Sequence, residues 1–219
     1  MRRLIAPVLF GLVGAAILVS LGVWQLRQLE VKEAKLAAIE AMLVAEPVAL
    51  PKVASAEADR YRGVIVMGFI TGEVVYKLDS LRDGGPGRRV IAVLQIGNRR
   101  ILVDRGILPD GVEGAPERAH GTIVEGNLDW PQEVDSYTPP PDGELWFARD
   151  VGAMAAALGT EPTMIVASEL TGDGIVPVPV DTSTIPNNHW QYAVTWFSLA
   201  AVWLGMTALL LWRIRQRGE

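Results

Sequence analysis

Two long apolar runs bracket a middle in which apolar and polar residues alternate. The first extends from Leu4 to Trp24, broken only by small residues and Ser20, with Pro7 near its start. The second extends from Ala193 to Trp212 and holds no charged residue. Trp196, Trp203 and Trp212 add aromatics of the kind that populate membrane interfaces. A helix rises about 1.5 Å per residue, so about 20 apolar residues cross a hydrocarbon core of roughly 30 Å. Both runs therefore predict transmembrane helices. A cleaved signal peptide competes for the first run, but the run is long for one and no Ala-x-Ala site follows it. A buried core helix competes for the second, but Arg213, Arg215 and Arg217 follow it directly.

Between the runs the period changes. From Leu26 to Val44 there is no Gly or Pro, and Leu29, Leu36, Ile39 and Leu43 recur near helical spacing. This predicts a juxtamembrane helix that continues the first span and ends before Pro47. From Arg60 onward short alternating runs punctuated by turn residues predict strands over Tyr61–Phe69, Glu73–Leu78, Arg89–Ile96, Arg100–Leu108, Thr122–Asp129, Thr163–Ser168 and Ile175–Val180. Gly97-Asn98 suits a hairpin turn, and residues 83–87 and Pro139–Pro141 read as loops. Asp150 is placed to cap a short helix, Val151–Leu158, which Gly159 closes. The expected fold is a membrane protein: two transmembrane helices flank a mainly β extramembrane domain, a small barrel or sandwich, with one short helix.

Charge sets the expected orientation. Arg2 and Arg3 precede the first span and the arginine triplet follows the second, so the positive-inside rule puts both termini in the cytoplasm. Arg27, Lys32 and Lys35 lie on the other side, interleaved with Glu30 and Glu33 as a solvated helix face. The resulting division is a first span over 1–25, a juxtamembrane helix over 26–45, and a periplasmic β domain over 46–186. An interface motif with the second span follows over 187–212, then a basic tail over 213–219. In a bacterium this is a multi-pass protein of the inner membrane. Residues 46–186 carry 21 acidic against 12 basic side chains, so no nucleic acid is expected as a partner.

The chemistry-bearing residues are few. There is no cysteine, which excludes disulfides and thiolate sites, and the two histidines, His120 and His189, cannot build a multi-histidine cage. No nucleophile–base motif occurs, so no enzyme is expected. Asp104-Arg105 reads as a structural strand-end ion pair, and His120 as a solvated surface side chain. The exceptional segment is Pro186-Asn187-Asn188-His189-Trp190-Gln191-Tyr192, at the mouth of the second span. The topology sets it at the depth of Trp24-Gln25, so that paired helices would let His189 and Gln191 face Trp24 and Gln25. Two readings stand side by side. Asn188 caps the helix and His189 is merely solvated, or His189 offers a neutral imidazole to haem iron.

The same residues carry a family likeness. The run from Asn187 to Phe197, Asn-Asn-His-Trp-Gln-Tyr-Ala-Val-Thr-Trp-Phe, is similar to the signature of the Surfeit locus protein family of cytochrome c oxidase assembly factors. Gly22, Trp24, Gln25 and Lys32 match the end of that family's first span. Tyr61-Arg62, Val64, Val66, Gly68 and Phe69 resemble its first strand. Leu102 to Gly106, with Pro109, resembles a later one, and Val124, Gly126, Trp146, Asp150 and Met154 fit further landmarks. Departures are Gln28 where the family has arginine, Asp104 and Ile107 where it has asparagine and tryptophan, and no basic residue after Val124-x-Gly126.

The resemblance implies a non-catalytic factor that binds haem a transiently and aids its insertion into the oxidase. His189 would be the iron ligand, with Asn187, Asn188, Trp24, Gln25, Gln191 and Tyr192 as its neighbours. The implied partners are the oxidase catalytic subunit, haem a synthase and the lipid bilayer. The alternative is a haem-independent scaffold that docks oxidase subunits through the β domain.

Overall fold

The computed structural model describes residues 2–81, 85–183 and 185–216. The chain divides into two compact units, one made by the residues up to 38 with those from 182 onward, the other by 39–181.

The first unit is a pair of antiparallel helices. Helix α1 runs without interruption over Arg2–Leu43, so the first span and its juxtamembrane continuation are one element. No Gly or Pro after Gly22 gives it reason to stop before Pro47, which disfavours the helical conformation in the residue ahead of it. Pro7 lies inside its second turn, a position spanning helices tolerate. The second apolar helix, His189–Gln216, starts four residues before the expected span. Both helices are long and apolar enough to cross a bilayer.

The second unit is mainly β. Its elements after α1 are α2 (Ala56–Asp59), β1 (Gly63–Leu81), β2 (Gly85–Ile96), β3 (Arg99–Pro109), β4 (His120–Leu128), β5 (Leu145–Trp146), α3 (Val151–Leu158) and β6 (Met164–Ala167); α4 is His189–Gln216. The strand order is β2-β3-β6-β4-β1-β5, and a further β1–β2 pairing closes five strands into a ring. The first half of β1 pairs with β4, Gly63↔Asn127 to Ile70↔His120. The strand pairs with β2 at Phe69↔Gln95 and Ile70↔Leu94 and again, after a register shift, from Val74↔Ala92 to Leu81↔Gly85. Alternation along the strands makes two apolar cores. Val74, Val90, Leu94, Ile101, Val103, Val124 and Ile165 build one. Their neighbours Val75, Ile91, Leu102 and Met164 pack on the opposite face with Trp146 and with Val151, Met154 and Ala155 of α3. Asp150 caps α3 by accepting the Ala153 N–H, and Gly159 closes it in the left-handed region.

Several expectations are corrected. Tyr61–Phe69 and Glu73–Leu78 are one bent strand, because the register shift between Ile70 and Val74 is a bulge and not a turn. Gly72 sits there at φ +90°, where a Cβ would strike the Glu117 carbonyl oxygen. Gly85-Pro86-Gly87, expected in a loop, opens β2 opposite Leu81, Ser80 and Asp79; residues 83 and 84 of that loop lie outside the described residues. Ile175–Val180 forms no strand and makes one isolated bridge, Ile107↔Val176. Pro177 and Pro179 lack the N–H groups a ladder needs. The short α2, capped by Ser55, was not expected.

Candidate functional site

The helix pair is built on a seam of small residues. Gly11, Ala15 and Gly22 of α1 are buried, as are Ala193 and Ala200 of α4. A Cβ on Gly22 would stand 2.7 Å from the Phe197 ring, and one on Gly11 or Gly14 would overlap Thr207 or Trp203. Absent side chains at these positions let the partner's large ones lie against the α1 backbone. The Trp203 indole N–H donates to the Gly11 carbonyl at 3.0 Å, and Phe10 tilts against Trp203 with ring centres 5.1 Å apart. Matching Gly11 with Thr207, Gly14 with Trp203 and Gly22 with Phe197 fixes an antiparallel register that carries Gln25 to the start of α4.

At that end the two motifs meet. His189 Nδ1 lies 2.8 Å from Gln25 Oε1. Gln25 is 9 % exposed and Ala193, one turn after His189, is 1 % exposed, so the contact closes the seam. The Asn188 carbonyl accepts the Tyr192 N–H at 3.1 Å, the first helical bond, which puts Asn188 at the N-cap position of α4. Asn187 is half-buried, and its Oδ1 is buried with no hydrogen-bond partner.

The remaining expected site residues flank this contact. Trp24 and Tyr192 are exposed, as is Trp190. Gln191 is exposed too and does not share the face of His189, since two residues along a helix turn the side chain by about 200°. Its carbonyl accepts the Thr195 hydroxyl at 2.9 Å. Of the expected facing pairs, then, the structure brings together His189 and Gln25. The glycine and alanine seam that positions them was not singled out from sequence, although its spacing of three, four and seven residues is visible in the chain.

The β domain holds a separate, enclosed charge network. Asp104 and Arg105 do not pair with each other, because successive strand side chains point to opposite faces. Asp104, fully buried, accepts from Nη1 of Arg89 and Nη1 of Arg149, each at 2.9 Å, and from the Gly106 N–H at 3.1 Å. Arg89 also donates to Asp79 at 2.7 Å, and Arg149 to Glu133 at 2.9 Å. Burial alone would push Asp79 and Glu133 up; the Arg89 and Arg149 guanidinia reverse this and hold both carboxyls below their ordinary range. Burial likewise works against the Arg149 charge, and Asp104 and Glu133 overcome it and raise its pKa. Asp79 and Asp104 are thus consumed in neutralising arginines. Arg105, also fully buried, donates to Thr171 and to Asp173 at 2.7 Å. Among the described residues no group of three or more acidic or histidine side chains is arranged to hold a metal ion. His120 is not simply solvated: it opens β4, with Nδ1 2.9 Å from the Arg118 carbonyl and Nε2 3.1 Å from that of Thr171.

Two bilayer-length helices joined along a small-residue seam, bracketing a β domain, define a two-span membrane protein. Comparison with known proteins gives the family. A sequence model of the SURF1 family matches residues 12–201, which include both motifs at the helix ends. A SURF1-like protein of Monosiga brevicollis is 30% identical over 215 residues, covering 87% of this chain and 82% of that protein. Human Surfeit locus protein 1 is 30% identical over 209 residues, 83% of this chain and 69% of its own. A SURF1-like protein of the bacterium Rickettsia felis is 28% identical over 207 residues, 86% and 89% of the two chains. The chain belongs to the SURF1 family.

Proposed function

We propose that this protein is a non-catalytic assembly factor of cytochrome c oxidase that holds haem a at His189 and passes it to the oxidase catalytic subunit. The observation that carries the reading is the His189–Gln25 contact: it engages Nδ1 and leaves the other ring nitrogen, Nε2, for a ligand. His189 would hold haem iron through a neutral imidazole nitrogen. The neighbouring residues fit such a group. Trp24, Trp190 and Tyr192 present exposed aromatic surface beside His189, and the buried Asn187 Oδ1 lacks a donor. Haem a synthase is the proposed source of the haem. Arginines 2, 3, 213, 215 and 217 favour cytoplasmic termini, with the β domain on the periplasmic side of a bacterial inner membrane.

The test is the visible spectrum of the purified protein from a host that makes haem a. The wild type is expected to carry haem, and His189→Ala to lose it. Haem-free wild-type protein, or an unchanged spectrum in the variant, overturns the proposal.

A second reading, a haem-independent scaffold, has its own observation. Ile65, Met67 and Phe69 alternate along β1 with their side chains 43%, 76% and 49% exposed, and Ile123, opposite Met67, is 56% exposed. An apolar strip on a sheet face suits docking of another protein. Crosslinks from this strip to oxidase subunits in a haem-deficient host would support it.

A further inference from the structure

A hydrogen bond between an amide oxygen and an imidazole nitrogen has one possible direction. The oxygen only accepts, so the nitrogen must carry the proton. With Gln25 Oε1 2.8 Å from His189 Nδ1, the neutral ring is the Nδ1–H tautomer, and its lone pair resides on Nε2. Turning the amide end for end would put an NH2 group against Nδ1. That arrangement calls for the opposite tautomer, with Nε2 protonated and unable to bind a metal. The orientation of one buried amide therefore favours one ring nitrogen of His189 over the other as the free lone pair.

The packing of the two helices brings this amide to the ring. Gln25 is one turn beyond Gly22, where the Phe197 ring closes on the α1 backbone. His189 is one turn before Ala193, which is all but inaccessible. A close approach at Gly22 and Ala193 sets the two polar side chains within hydrogen-bonding distance. Among the described residues of this end, the orphaned buried polar atom is Asn187 Oδ1, and Gln25 leaves none.

We infer that Gln25 is a positioning residue: it holds His189 in the Nδ1–H tautomer and aims Nε2 as the iron-binding nitrogen. The inference rests on the haem reading of His189 given above. It assigns Gln25 the part that carboxylates and backbone carbonyls play behind metal-bound histidines elsewhere, fixing the ring and raising its basicity. Removing such a partner typically costs about 10–100-fold in affinity, although it never touches the metal.

Two measurements on the full-length protein in detergent test this separately. The first is nitrogen NMR of histidine-labelled, haem-free protein, with His189→Ala to assign the signals against His120. The wild type should show a protonated Nδ1 and an unprotonated Nε2 at His189. Gln25→Leu should lose that preference, and Gln25→Glu, which keeps an acceptor oxygen, should retain it. The second is titration with haem a. Gln25→Leu should bind about 10–100-fold more weakly, with a lower iron–histidine stretching frequency, and Gln25→Glu should bind within a few-fold of wild type. A protonated Nε2 in the wild type overturns the inference whatever haem does. So does Gln25→Leu binding haem a as tightly as wild type with the stretch unmoved. If the wild type shows the expected tautomer but binds no haem a, the iron-ligand reading of His189 is what fails, and the role of Gln25 toward iron falls with it.

Discussion

Replacing Asp104 by alanine should unfold the β domain at a much lower temperature, and the size of the effect follows from three hydrogen bonds. The side chain is fully buried, and alanine removes its bonds to Arg89, Arg149 and the Gly106 N–H together. Hydrogen bonds to charged groups contribute about 1.5–3 kcal/mol each, and a buried N–H left unpaired costs about 1–3 kcal/mol. The full sum overstates the loss, because Arg89 keeps Asp79 and Arg149 keeps Glu133. Neither guanidinium is stranded. The expected loss is therefore about 3 kcal/mol, the low end for breaking a buried ion pair. At roughly 2–4 °C per kcal/mol for a chain of this size, Tm falls by about 10 °C.

Asp104→Asn separates charge from shape. An amide has one acceptor oxygen where the site uses two. If that oxygen faces Gly106, the NH2 group meets two guanidinia; if it faces the guanidinia, the Gly106 N–H meets an NH2 group. The asparagine variant should fall between wild type and alanine. Near-UV circular dichroism of the full-length protein in detergent follows the unfolding, with Trp130 and Trp146 reporting from the β domain. Adding Arg149→Met to Asp104→Ala should cost less than the two single losses added together, since it removes a charge the first change left in excess. A loss for Asp104→Ala below about 1 kcal/mol, the range of exposed pairs, or strict additivity in the double variant, refutes the reasoning.

Two further predictions concern the seam and the acid side of the stability curve. Gly22→Leu should push the helices apart at a cost of about 1–3 kcal/mol, whereas Gly205→Leu, which meets open space, should not. Spin labels at the exposed positions Arg27 and Gln191 read the separation, and equal distances in both variants would contradict the seam. Asp79 and Glu133 have folded pKa values below their ordinary 3.8 and 4.5. The unfolded chain then binds more protons in this window, so their contribution is complete above the ordinary values and is lost as pH falls through the lowered ones. Tm measured from pH 6 to about pH 3 should drop at the acid end, and Glu133→Gln should flatten the drop; an unchanged slope in that variant removes Glu133 from the explanation.

What the sequence disclosed of the fold depended on how local the determinant was. The two apolar helices are written in composition alone, and Asp150 and Gly159 announce α3 by their capping chemistry. Strand content is written in alternation, but strand continuity is not. Thr71-Gly72 looks like a turn between two strands; it is a bulge inside one, because β1 pairs with β2 on both sides of it, Ile70↔Leu94 before and Val74↔Ala92 after. Gly85-Pro86-Gly87 has the composition of a loop and is held in a ladder by Asp79, Ser80 and Leu81. Asp104 shows the same limit for chemistry. In the sequence it reads as the partner of the adjacent Arg105, yet the side chain is buried against Arg89 and Arg149, 15 and 45 residues away. Its partners are set by the fold and not by the neighbouring residue.

The helix-end site was legible as two motifs and illegible as a contact. Trp24-Gln25 and Asn187-Asn188-His189 could be set at one depth from topology, but which residues touch depends on the register of two helices 164 residues apart. That register is fixed by Gly11, Gly14 and Gly22, which in an apolar run look like ordinary small residues. The contact also changes how the competing readings of His189 relate. Asn188 holds the N-cap position of α4, its carbonyl accepting the first helical bond from the Tyr192 N–H. The His189 ring is therefore not occupied in capping. It is turned into the seam and held through Nδ1 by a buried amide, an arrangement a merely solvated histidine would have no need of. The N-cap position at Asn188 therefore takes nothing from the ligand role proposed for His189.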